Sequence, residues 1–140
     1  MYLCKYFFIC VTIHIEMNKS KLILALGSNS NQEKNIENAI IMLQKLFDDN
    51  IRITRKVWTE PIGIKSDKFL NCLVSANTSF EFENIQRALK NIEVLCGDKK
   101  ENRKQNIIRI DIDILQFGDK KFHDRDWTRK YIKELVKELN

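Results

Sequence analysis

The sequence contains one proline and four glycines in 140 residues. So few chain breakers leave no linker, and there is no repeat or low-complexity tract, so the length suits one domain. There is no CxxC pair either: Cys4, Cys10, Cys72 and Cys96 stand apart. That spacing argues against a cysteine metal cluster. Cys72 and Cys96 sit among apolar residues, the pattern of buried free thiols in a reducing cytoplasm. No apolar run reaches bilayer length. The run Tyr6–Ile13 is too short to span, and as a signal peptide it lacks a small-residue cleavage site. Met17 opens a conventional start just before a clean first strand. Residues 1–16 are therefore expected to be an extension outside the fold, and residues 17–140 a single domain. Nucleic-acid motifs are absent, and a net charge of +5 is only a mild excess. The expectation is a cytoplasmic monomer with no nucleic-acid or membrane partner.

What is present is clear periodicity. Leu22–Leu26 is a short apolar run ending at Gly27, which reads as a buried strand. Ile36, Ala39, Ile40, Leu43, Leu46 and Phe47 recur at helical spacing. Residues 51–58 are rich in β-branched and aromatic side chains and read as a second strand, and Phe69–Ser79 as a third. Pro61 makes 59–63 a loop. Ile85, Ala88, Leu89, Ile92, Leu95 and Cys96 mark a second helix with one apolar face, and Gly97 is its stop. Ile108–Leu115 alternates and reads as a fourth strand. Trp127, Tyr131, Ile132, Leu135 and Leu139 mark a last helix expected to bury itself against the core. The order predicts an α+β fold: a ferredoxin-like βαββαβ sheet with helices on one face, plus a C-terminal helix.

Asp111 and Asp113 lie two apart on a strand, so both carboxylates share one face while Ile110, Ile112 and Ile114 take the other. Side-by-side carboxylates repel, and a divalent cation bridging to phosphate would relieve them. A solvated strand face also alternates this way. Just upstream, Lys99, Lys100, Arg103 and Lys104 crowd one segment that fits either a solvated loop or a phosphate site. Thr59, Pro61, Ile62, Phe69 and Asn71 offer apolar surface, an amide and a loop, the parts that hold a flat heterocycle.

Five ordered segments carry a family resemblance. Leu24–Asn29 resembles the ALGSN opening of the hydroxymethyldihydropterin pyrophosphokinases. Trp58–Gly63 resembles their pterin loop, and Phe69-Leu70-Asn71 their F/Y-L-N. Ile92-Glu93 with Gly97 matches their I-E and following glycine. Asp111–Gly118 resembles their D-[IL]-D-[IL]-L-x-[FY]-G. The resemblance covers about residues 21–119.

The resemblance implies that Asp111 and Asp113 bind two Mg2+ ions bridging ATP and a pterin alcohol. It implies that Asn71 meets the pterin edge, with Phe69 packing on the ring and Thr59 and Ile62 giving backbone contacts. Lys100 and Lys104 fall where the family has basic residues for ATP. The family's arginine three places before the first aspartate is Ile108 here. Arg109, one place later, lies on Asp111's face by strand alternation and is the candidate replacement in catalysis and ATP binding. Asp98 replaces the arginine after the glycine, and Asn106-Ile107 replaces a G-P. The family's P-H-P and later arginine are absent, and Trp127–Tyr131 and a helix stand there instead. That tail is expected to leave the catalytic face more open than in typical family members. Two functions fit: a Mg-dependent pyrophosphokinase, or a paralogue that binds a pterin or nucleotide without transfer or acts through protein contacts.

Overall fold

The computed structural model describes residues 19–140. Residues 1–16, with Cys4 and Cys10, lie outside the described residues. One antiparallel sheet of six strands forms the centre. Its strands are β1 (Ser20–Ser28), β2 (Ile51–Ile53), β3 (Val57–Thr59), β4 (Phe69–Thr78), β5 (Asp111–Phe117) and β6 (Lys120–Lys121). They run in the order β2-β4-β1-β5-β6, with β3 also pairing with β4. The helices are α1 (Gln32–Leu46), α2 (Phe82–Leu95), α3 (Lys100–Lys104), α4 (Asp124–Trp127) and α5 (Lys130–Val136), and a 3-10 turn (Lys137–Leu139) ends the chain.

The sheet buries both faces. On one face Leu22, Leu24, Leu26, Cys72, Val74 and the three isoleucines 110, 112 and 114 pack beneath α1 and α2. On the other, Ile23, Leu73 and Leu115 pack beneath Ile132, Leu135 and Leu139. The two main helices thus share a face as the periodicity predicts, and the C-terminal helix closes part of the opposite one. Cys72 and Cys96 are free and buried, and burial pushes the Cys72 thiol up to about 12.

Two expected strands differ in detail. Residues 51–58 do not form one strand. Ile53 pairs with Val74 and Val57 with Asn71, so the outer chain carries an extra residue. Buried Thr54 sits in the interruption, and its hydroxyl accepts the Leu73 N–H at 2.9 Å in place of a ladder carbonyl. The fourth strand starts only at Asp111. A shift in β5 register leaves Leu115 between the pairs Leu24–Ile114 and Ile23–Gln116. The carbonyl of this bulged residue accepts hydrogen bonds from Phe122 N at 2.9 Å and Trp127 Nε1 at 3.2 Å, which dock the tail.

Candidate active site

The open part of the second face follows from side-chain size. Along β1 the residues on that face are Ile23, Ala25 and Gly27, shrinking toward one end. Ile23 lies under the tail helix, while Ala25 and Gly27 floor a cavity of about 340 Å³. Gly27 pairs with Asn71 on one side and Asp111 on the other, and Ala25 pairs with Asp113. A Cβ on Gly27 would sit 3.1 Å from Asn71 Oδ1 and 3.6 Å from Phe69 Cδ1, so glycine makes room for the amide and the ring.

The cavity gathers Thr59, Ile62, Phe69 and Asn71 with Asp111 and Asp113. Asn71 is buried, and its Nδ2 donates to Thr59 Oγ1 at 2.8 Å. That bond turns Oδ1 toward Gly27, as an acceptor without a donor among the described residues. Ile62 is 73% exposed, on the rim. At the other end, burial first and then the charge of Asp111 push the Asp113 carboxyl up to about 6. These hard oxygen donors share a face and carry an electrostatic strain that a divalent cation relieves, so they fit one. Among the described residues no group of three or more His, Cys, Asp or Glu side chains is placed to hold a metal. A carboxylate pair that leaves the remaining positions to water and phosphate oxygens is the usual Mg2+ arrangement.

The predicted basic residues lie elsewhere. Lys100 and Lys104 are exposed on α3. Because β5 begins at Asp111, strand alternation does not reach Arg109. The Arg109 side chain instead runs over Gly97, where an added Cβ would meet its Cδ at 2.8 Å. Gly97 ends α2 with φ +97°, so both its backbone and its neighbour require glycine. Ile108 lines the cavity. The preceding loop is clipped to the end of β1 by buried Asn29, whose Nδ2 donates to Asn106 O and whose Oδ1 accepts from Ile108 N, both at 2.7 Å. This gives a physical reason for asparagine in the opening motif.

Three residues that the sequence reading missed also line the cavity: Asp126, Arg129 and Tyr131. The Arg129 guanidinium lies 4.8 Å from the centre of the Tyr131 ring. The tail therefore contributes one wall of the site. His123 followed by Arg129 was the available signal, a histidine and later arginine without the flanking prolines.

A second cavity of about 440 Å³ adjoins the first at Asp113 and lies toward the other face. Phe82, Leu89, Ile112 and Phe122 give it apolar walls, and Arg87 and Lys90 bring positive charge. Glu93 faces this space. Its Oε2 accepts the Ile112 N–H at 2.9 Å on the edge of β5 turned away from β1, and burial foremost pushes its carboxyl up to about 7. Among the described residues no helix is long and apolar enough to cross a membrane.

A buried amide and an aromatic ring stand at one end of the cavity, and a pair of carboxylates suited to a divalent cation at the other. The family model of the 7,8-dihydro-6-hydroxymethylpterin-pyrophosphokinases matches residues 23–140, and the chain belongs to that family. The match runs through the tail, which the motif comparison alone had set outside the family pattern. No curated protein matches the chain in sequence.

Proposed function

We propose that this protein transfers the pyrophosphoryl group of ATP to the hydroxymethyl oxygen of 6-hydroxymethyl-7,8-dihydropterin, in folate biosynthesis, with two Mg2+ ions at Asp111 and Asp113. The observation that carries this reading is the shared row of Asn71, Gly27 and Asp111 across the sheet. That row supports a reading in which the amide meets the heterocycle and the carboxylate the phosphate side, across one floor.

Asn71 Oδ1 accepts from the N–H edge of the pterin, and Thr59 fixes that amide's orientation. Phe69 and Tyr131 supply apolar walls for the ring. The second cavity takes the adenosine end of ATP, with its polyphosphate reaching the carboxylates at the junction. Asp111 and Asp113 would hold the cations, which would supply neutralisation of phosphate charge. The alcohol oxygen forms its bond to the β-phosphorus, the bond from that phosphorus to the α–β bridging oxygen breaks, the hydroxyl proton is released and AMP leaves. Catalysis here is positioning and charge neutralisation. The same reading takes the sheet as ferredoxin-like: β4 lies between β1 and β2, as a split βαβ unit requires. It also takes the protein as a cytoplasmic monomer whose residues 17–140 form one domain.

The test is AMP formation when purified protein meets Mg-ATP and the pterin alcohol. Stoichiometric AMP and pterin diphosphate are expected. Binding of both substrates without AMP would favour the non-transferring paralogue.

A further inference from the structure

Arg103 brings a guanidinium to Asp111, one of the two carboxylates. Its Nε lies 2.7 Å from Asp98 Oδ1, and the Asp98 side chain is only 7% exposed. Its Nη2 lies 3.4 Å from Asp111 Oδ1 and 3.9 Å from Glu93 Oε2. Nε is thus anchored, and Nη2 faces the carboxylate that bounds the cavity. A lysine cannot make this bridge, because it has no second donor edge held in a fixed plane. Arg109 lies over Gly97, and Lys100 and Lys104 are exposed, so neither of the expected sources supplies this contact.

The arrangement also accounts for Asp98, which stands where the resembled motif has an arginine. An unpaired carboxylate there would place negative charge beside a polyphosphate. Paired with Arg103, it aims a cation at that place instead. In this chain the guanidinium stands at 103, and the residue at 98 carries the opposite charge and holds it.

We infer that Arg103 is the phosphate-binding guanidinium of this protein and that Asp98 is its positioning residue. The inference rests on the pyrophosphokinase reading above. The anchored fork offers a polyphosphate oxygen charge-assisted hydrogen bonds, and α3 carries it on a short element next to Asp111.

Calorimetric titration of the full chain with Mg-ATP, Mg-triphosphate and the pterin alcohol tests this. Arg103→Ala should weaken both phosphate ligands by roughly 10- to 100-fold and leave pterin affinity unchanged. Arg103→Lys should recover only part of the loss. Asp98→Asn should weaken phosphate binding in the parent but add nothing in the Arg103→Ala background. A purely structural role would add in both. Parent-like phosphate affinity in Arg103→Ala overturns the inference. If that variant does not fold, parent-like affinity in Arg103→Lys overturns it equally. A parent protein that binds the pterin but neither phosphate ligand overturns the pyrophosphokinase reading itself.

Discussion

Asn71 and Asp111 stand opposite the same residue, Gly27, on the two strands that flank β1. Two strand spacings set their backbones roughly 10 Å apart. Only a hydrogen rises from the floor between them. The amide end and the acidic end of the cavity are therefore fixed by sheet register rather than by loops.

Replacing that amide should separate the two substrates. Asn71→Ala is expected to weaken pterin binding by roughly 5- to 150-fold while ATP affinity stays near the parent value. Gly27→Ala should show a smaller loss toward the same ligand, because its Cβ would crowd Asn71 Oδ1 at 3.1 Å. Fluorescence titration of the pterin measures both. Equal losses for pterin and ATP would remove Asn71 from the pterin end.

Asp111→Ala and Asp113→Ala should abolish the Mg2+-dependent part of ATP binding and leave a cooperative melting transition. In the parent, chelating Mg2+ should reproduce the same loss. Calorimetry with and without Mg2+ reads the difference. Parent-like Mg-ATP binding by both variants would mean that the cation site lies elsewhere.

Glu93 makes stability depend on pH. Its carboxyl titrates near 4.5 when unfolded and at about 7 in the folded protein. Between those values the folded chain binds more protons than the unfolded chain, so stability falls as pH rises and the cost is complete above about 7. Glu93→Gln should melt higher than the parent at pH 8 and alike at pH 4. A shallower slope should remain from Asp113, whose window runs from 3.8 to about 6. An unchanged pH profile in Glu93→Gln would show that this carboxyl is not the source.

The tail should be indispensable to the fold. Leu135 is fully buried over Ile23, Leu73 and Leu115. Leu135→Ala should cost about 2–5 kcal/mol, read by denaturant unfolding. Truncation after Gly118 also strips Trp127 from the Leu115 carbonyl, and should destabilise the protein further or prevent folding. A truncated chain that melts like the parent would mean the second core contributes little.

Local periodicity in the sequence determined the elements that packing repeats along a strand or helix. The isoleucines at 110, 112 and 114 and the aspartates at 111 and 113 divide between two faces because strand geometry forces alternate side chains apart. The stripes on α1 and α2, and the stop at Gly97, follow in the same way, except that Leu95, assigned to the apolar face, is exposed at the end of its helix. Tertiary structure alone decided where periodicity ends. Asn29 holds Ile108 outside the ladder, so Arg109 leaves the face that alternation assigned to it. Thr54 divides the second strand by bonding to Leu73. Asp98 turns Arg103 toward Asp111, and the bulge at Leu115 draws the tail across to place Arg129 and Tyr131 at the cavity. Each of these contacts fixes a direction that the local residue pattern leaves free. Most join residues far apart in the chain, and the salt bridge from Asp98 to Arg103 is aimed by the fold around it.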